Sequence, residues 1–260
     1  MKNLVSTDWL YNNLKNVKIL DATWHMPNTK RDALVEFSNK HIENSIFFDL
    51  DKSSDQNSSF PHMLPSKEYW AETLSNLGIK NSDHVVIYDN SDVLSSCRVW
   101  YNFLYFKHDP NLVTVLDGGF KKWLKENKNT TKDLKLLTKS SYVALENTGM
   151  ALNKEQINLN IKNKKFELID ARSKERFNGL LPEPRPELKS GNISGSKNLP
   201  FMALINQDNT FKEKLELKSL FLNLKIDPKK DMAFTCGSGV TACILGLANS
   251  IISGKNPVIY

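Results

Sequence analysis

Met232-Ala-Phe-Thr-Cys236-Gly-Ser-Gly-Val-Thr-Ala-Cys243, continued by Ile-Leu-Gly-Leu-Ala-Asn-Ser-Ile251, reads as a strand, a loop and a helix. Met232–Thr235 is a short apolar run, the pattern of a strand buried on both faces of a parallel sheet. Val240, Ile244, Leu247 and Ile251 then fall at i, i+4, i+7 and i+11, one face of a helix. Between them, Gly237 and Gly239 let the backbone wrap tightly and turn its N–H groups inward. Cys236 thus stands at the carboxyl end of a strand, where open α/β sheets place their ligands. The loop N–H groups and the positive end of the following helix favour an anionic sulfur, whether on Cys236 itself or carried by it.

Other readings compete for this loop. A cysteine-dependent phosphatase also joins Cys, cradle and helix, but it grips phosphate with an arginine six residues after the cysteine. Ala242 stands there, so the guanidinium fork is missing. A buried cysteine beside a glycine turn is the structural alternative and stays open at this point. Cys243 lies on the helix beside its apolar stripe and reads as packing. Cys97, ahead of Arg98-Val-Trp100 and without a glycine loop, also reads as structural.

Outward from the loop, the chain repeats itself. Val17-Lys-Ile-Leu-Asp21-Ala22 and Phe166-Glu-Leu-Ile-Asp170-Ala171 share a strand ending in Asp-Ala. His41–Phe48 and Gly191–Leu199 follow as turns with short strands. Val85–Tyr88 and Met232–Thr235 follow as apolar strands. Asp21 precedes Asp89 by 68 residues, and Asp170 precedes Cys236 by 66. Two near-equal intervals with the same order of features predict two homologous α/β halves, each a mostly parallel sheet with helices on both faces. Asp89 occupies the first-half position that Cys236 fills in the second.

Helix signals fall between the strands. Ser66 is an N-cap candidate, and Gly78 ends that helix as its C′ residue. Gly118 opens another helix, with Phe120, Trp123 and Leu124 at core spacing. From about residue 126 to 153 the chain is polar and weakly patterned, which predicts a linker. The expected organisation is an N-terminal domain over residues 1–127, a linker over 128–152 and a catalytic domain over 153–260.

Composition narrows the function. Hydrophobic residues at 40% and charged residues at 25% describe a soluble folded chain, not a disordered one. Three cysteines, none in a CxxC pair, predict neither a disulfide framework nor a structural zinc site. Asp8 and Asn12-Asn13 interrupt any apolar leader, and no apolar run approaches the roughly 18 residues that span a bilayer. A cytoplasmic protein with no membrane partner is expected. The net charge of +6 is spread as single and paired lysines, without a basic-aromatic motif, so no nucleic-acid partner is expected.

Beyond the loop, the chain carries Asp21-Ala, Phe47-Phe-Asp-Leu-Asp51, His62-Met-Leu-Pro65, Val86-Ile-Tyr-Asp89, Arg98-Val-Trp, Leu116-Asp-Gly-Gly119, Arg176-Phe-Asn-Gly and Pro182-Glu-Pro-Arg185-Pro. With Cys236-Gly-Ser-Gly-Val-Thr these runs resemble the 3-mercaptopyruvate sulfurtransferases, a family of tandem rhodanese-like enzymes, over nearly the whole chain. The resemblance implies two rhodanese-like domains with the cysteine kept only in the second. It implies sulfur transfer from 3-mercaptopyruvate through a Cys236 persulfide to a thiol acceptor such as thioredoxin, or to cyanide. No metal or organic cofactor is implied, and the chain is expected to be a monomer. Arg176 and Arg185 match the family's substrate arginines, whose two forks suit a 2-oxo acid. Gly237, Gly239, Val240 and Thr241 complete the expected substrate-binding set. Ser238, His62 and Asp51 match a proposed Ser–His–Asp set: Ser238 moves a proton, His62 orients Ser238 and Asp51 holds the His62 tautomer. Read on their own residues, Asp51 in an acidic loop and His62 in a turn remain open to a purely structural role. The thiosulfate-using rhodaneses are the near alternative, but their loop typically carries charged residues where this one has Gly237-Ser238-Gly239. A rhodanese-type module that relays sulfur without turnover is the alternative from outside the enzymes.

Two departures from the family stand out. Gly191-Asn-Ile-Ser-Gly195 replaces a turn that commonly holds a histidine and a proline. The first half continues into Leu116-Asp-Gly-Gly-Phe-Lys-Lys-Trp123, whereas the second stops at Val258-Ile-Tyr260. The C-terminal domain is therefore expected to lack its last helix, leaving a stripe of sheet uncovered and stability reduced.

Overall fold

The computed structural model describes residues 3–184, 188–227 and 230–260. The chain divides into two compact units. One runs up to Asn147 and includes Gln207–Thr210; the other holds Thr148–Asn206 and Phe211–Tyr260.

The first unit carries β1 (Leu4–Val5), α1 (Thr7–Tyr11), β2 (Lys18–Asp21), α2 (Ala33–Asn39), β3 (His41–Ile42), β4 (Ser45–Phe47), α3 (Lys67–Asn76), β5 (Val85–Tyr88), α4 (Ser96–Tyr105), β6 (Val113–Leu116), α5 (Gly119–Lys125) and β7 (Thr130–Thr131). Five strands form a parallel sheet in the order β1-β6-β5-β2-β4. All four β5 residues are buried, as its continuous apolar run requires. Val86 and Tyr88 join Leu10, Ile19, Leu116, Phe120 and Trp123 in one cluster under α1 and α5. By strand alternation Val85 and Ile87 face the other way. The indole of Trp70 on α3 stacks on Phe106, ring centroids 5.0 Å apart, and meets Phe103 edge-on. Each such fully buried side chain contributes about 1.5–3 kcal/mol of transfer free energy. Ser66 caps α3 by accepting the Tyr69 N–H, and Gly78 leaves it at φ +71°. Leu124 departs from its expected core role. It is 37% exposed, because Phe120 and Trp123, one turn apart, take the inward face of the short α5. The polar stretch beyond α5 is partly tied down: β7 pairs antiparallel with β3, and Tyr142 is buried with its hydroxyl 3.0 Å from His108 Nδ1.

The second unit carries α6 (Lys154–Asn163), β8 (Glu167–Asp170), α7 (Lys174–Phe177), β9 (Lys197–Asn198), α8 (Lys214–Asn223), β10 (Met232–Thr235) and α9 (Ala242–Ser253). A capping box between Asn153 and Gln156 opens α6. The strands run parallel in the order β10-β8-β9. Ile259 extends this sheet by parallel bridges to Phe234 on one side and Ala151 on the other. The order Ala151, Ile259, β10, β8, β9 thus repeats β1-β6-β5-β2-β4. Gly246 on α9 admits the returning chain, since a Cβ there would lie 2.6 Å from the Pro257 Cβ.

The two units differ on one face. Ile157, Leu168 and Ala233 form the second unit's cluster there, with Leu152, Phe166, Ile193 and Val258 half-buried against it. In the first unit the matching cluster also holds Phe120 and Trp123 of α5. A hollow of about 420 Å³, lined in part by Leu152, Phe166, Ala233 and Val258, opens at the amino-terminal ends of β8 and β10.

Candidate active site

The parallel register β10–β8 brings Thr235 level with Asp170, so both strands end at one edge of the sheet. Cys236 is the first residue past that edge and is half-buried. Gly239 takes φ +75°, a conformation that glycine adopts without strain. The buried Cys243 thiol donates to the Gly239 carbonyl at 3.0 Å, and its N–H donates to the Val240 carbonyl at 3.2 Å. Cys243 therefore braces the loop from the first turn of α9, in keeping with a packing role. Val240 is buried ahead of α9, not within it, while Ile244 and Leu247 carry the helix's inward stripe. Ser238, Gly239 and Thr241 are half-buried.

Arg176 reaches this loop from α7. A Cβ built on Gly237 would lie 3.2 Å from Arg176 Nη2, so the guanidinium packs closely against this glycine. The guanidinium is held from behind by Glu183: Nε donates to Oε1 at 3.2 Å and Nη2 donates to Oε2. Glu183 also accepts from Arg172 Nη1 at 2.7 Å. Arg172 in turn donates from Nε and Nη2 to Asp170, at 3.0 and 2.6 Å, and from Nη2 to the Gly191 carbonyl. Asp170, Arg172 and Glu183 are buried, while Arg176 keeps a quarter of its side chain exposed toward solvent. Burial pushes the Glu183 carboxyl up, but the hydrogen bonds and charges of Arg176 and then Arg172 outweigh it and hold it below the usual carboxylate range. Alternating −, +, −, + charges let four buried or half-buried ions coexist.

In the first unit, His62 and Asp51 do meet. His62 Nε2 lies 2.9 Å from Asp51 Oδ1. The imidazole is buried, and the Asp51 carboxylate is largely exposed. Trp24 Nε1 donates to both Asp51 oxygens, at 3.1 and 3.0 Å, and its ring meets the His62 ring edge-on at 4.6 Å. His62 sits at φ +56°, and the buried Arg98 donates from Nη2 to its carbonyl at 2.5 Å. A non-glycine residue in this conformation persists where its surroundings hold it.

The structure thus groups Cys236, Gly237, Ser238, Gly239, Val240, Thr241 and Arg176 in the second unit, and Asp51 with His62 in the first. Arg185 lies outside the described residues. Sequence reasoning missed Glu183, Arg172 and Trp24. Glu183 was in view as the acidic residue of Pro182-Glu-Pro-Arg185, and Arg172 as the cation two residues past Asp170, but nothing in the pattern joins them. Among the described residues, no cluster of three or more His, Cys, Asp or Glu side chains could hold a metal ion. No helix among them is long and apolar enough to cross a membrane.

Two parallel-sheet repeats, the second with a cysteine in a glycine-containing loop at its carboxyl edge, define a tandem α/β protein. The rhodanese-like domain family matches residues 6–126 and 153–260, and the chain belongs to that family. It is 38% identical to the 3-mercaptopyruvate sulfurtransferase of Mus musculus over 263 residues, covering 98% of this chain and 88% of that one. It is 36% identical to the thiosulfate sulfurtransferase of Rattus norvegicus over 266 residues, covering 99% and 89%. The crystal structure of SseA from Escherichia coli, described as a 3-mercaptopyruvate sulfotransferase, superposes with a TM-score of 0.90 at 28% identity, covering 100% of this chain and 98% of that one.

Proposed function

We propose that this chain is a sulfurtransferase that takes sulfur from 3-mercaptopyruvate and hands it to a thiol or to cyanide. The observation that carries the donor is the composition of the loop. Cys236-Gly-Ser-Gly-Val-Thr241 has no charged side chain, and the cation beside it, Arg176, is already half-engaged by Glu183. A compact dianion such as thiosulfate calls for cationic loop side chains. A planar carboxylate with an adjacent ketone calls for a guanidinium edge, and the Mus musculus relative and SseA bear the matching name.

The chemistry balances without a cofactor. The Cys236 thiolate attacks the substrate sulfur, and the S–S bond forms as the C–S bond breaks. The carbon keeps the electron pair as the enolate of pyruvate, which takes up a proton. An acceptor thiolate, or cyanide, then attacks the outer sulfur and restores the Cys236 thiolate. Arg176 and Arg185 hold the carboxylate and ketone oxygens. Gly237, Gly239, Val240 and Thr241 supply the backbone around the sulfur. We assign the proton to the Ser238 hydroxyl and to the His62–Asp51 pair. Thioredoxin-like dithiols are the proposed acceptors, the chain acts as a monomer, and three cysteines outside any disulfide suit a reducing compartment such as the cytoplasm.

The test is pyruvate release from 3-mercaptopyruvate with thiosulfate–cyanide turnover alongside, in the wild type and in Cys236→Ser. Strong preference for mercaptopyruvate with a dead mutant is expected. Preference for thiosulfate overturns the donor, and a persulfide on Cys236 without turnover of either donor points to a relay module.

A further inference from the structure

We infer that Glu183 is a positioning residue that aims Arg176 at the substrate and, by offsetting part of its charge, makes the site favour a monoanionic carboxylate donor over a compact dianion. The inference deepens the proposed function and rests on it.

The geometry is specific. Arg176 has five N–H donors, and Glu183 takes one from Nε and one from Nη2. The Nε side of the fork is therefore closed, and three donors on Nη1 and Nη2 remain. Those form the end-on edge, which accepts a carboxylate in two parallel bonds. The same Nη2 lies against Gly237, so the edge stands over the Cys236 loop. Glu183 cannot swing away from this duty, because Arg172 holds its Oε1 and is itself held by Asp170. A buried carboxylate that accepts from both Nε and Nη2 holds Arg176 in one orientation. That matters for a long side chain that otherwise loses rotamer entropy on binding.

Charge supplies the second half. Asp170, Arg172, Glu183 and Arg176 sum to zero, so these four side chains offer an incoming ligand an oriented donor edge and no net charge of their own. A monoanion that forms two hydrogen bonds loses little from that balance. A dianion, bound mainly by charge, loses more.

Removing the Glu183 charge without its shape reverses both effects. In Glu183→Gln, KM for 3-mercaptopyruvate is expected to rise about tenfold with kcat changed less than about threefold, because a binding group is loosened and the nucleophile is untouched. The ratio of kcat/KM for thiosulfate to that for mercaptopyruvate is expected to rise about tenfold, because the freed guanidinium charge favours the dianion. Glu183→Asp keeps the charge on a shorter stem, so mercaptopyruvate KM rises while the donor ratio stays within about twofold of wild type. A purely structural role moves both donors together in Glu183→Gln, and that result overturns the inference, as does an unchanged KM. If Glu183→Gln does not fold, as judged by its melting transition, Glu183→Asp decides: an unchanged mercaptopyruvate KM overturns the inference. Wild-type protein that turns over neither donor would fail the proposed function itself and take this inference with it.

Discussion

Asp89 and Cys236 stand at the same place in the two repeats, each the first residue after its central strand, β5 or β10. Cys236 opens a glycine loop. Asp89 instead accepts the N–H groups of Ser91 and Ser96 at 2.8 and 2.9 Å, which ties its loop to the start of α4. The first-unit edge is thus a structural knot where the second carries the cysteine of the proposed active site. Asp89→Ala leaves those two buried donors unpaired and is expected to cost about 2–4 kcal/mol. Urea unfolding of the variant measures it, and a loss below half a kcal/mol would contradict the capping role.

Arg176→Lys keeps the positive charge and loses the planar fork. A lysine cannot present two parallel donors to a carboxylate while also holding Glu183 at two points. KM for 3-mercaptopyruvate is expected to rise about tenfold, equivalent to about 1.4 kcal/mol. Initial-rate kinetics check this, and an unchanged KM would remove Arg176 from the substrate-binding set.

Trp24→Phe keeps a ring beside His62 and deletes the N–H that both Asp51 oxygens share. Asp51 is solvent-exposed enough for water to replace that bond, so the stability loss comes mainly from the smaller ring at a buried position and is expected at about 1–2 kcal/mol. Turnover is expected to fall about three- to tenfold if the His62–Asp51 orientation serves proton transfer. Full turnover in a folded Trp24→Phe protein would show that the indole clamp is dispensable.

Asp21 and Asp170 are also repeat partners, but Asp170 has Arg172 while Asp21 has Thr23. Burial pushes the Asp21 carboxyl up to about 6 against the opposing Thr23 bonds. The folded state therefore holds its proton more tightly than the unfolded chain does. Stability from this group is fully present below the ordinary carboxylate range and is lost as pH rises through about 6. The loss amounts to about 3 kcal/mol at most. Denaturant midpoints between pH 4 and 7 should fall more steeply in the wild type than in Asp21→Asn. Parallel curves would mean that Asp21 ionises freely in the fold.

Gly119 has φ +56°, and a Cβ there would lie 2.6 Å from the Asp89 carbonyl oxygen. Gly119→Ala meets both strain and a backbone clash and is expected to lose about 2–4 kcal/mol. Thermal or urea denaturation reads this directly, and a neutral substitution would show that the turn before α5 relaxes at little cost.

Much of the architecture was legible because it rests on local periodicity. The apolar runs at β5 and β10, the Asp-Ala strand ends and the near-equal repeat intervals require only short-range pattern, since a strand buried on both faces must be continuously apolar. The Ser66 cap, the Gly78 stop and the packing role of Cys243 were readable for the same reason. Leu124 was misjudged because a seven-residue helix offers only one turn's worth of inward face, and two aromatic residues already fill it. The sequence by itself determined the repeat, the parallel sheets and the place of Cys236 at the carboxyl edge of β10. Only the tertiary structure decided that Glu183 and Arg172 stand behind Arg176, and that Trp24 clamps Asp51. Such pairs form between side chains whose meeting depends on how loops close over the sheet edge, and opposite charges several residues apart carry no periodicity that would announce them.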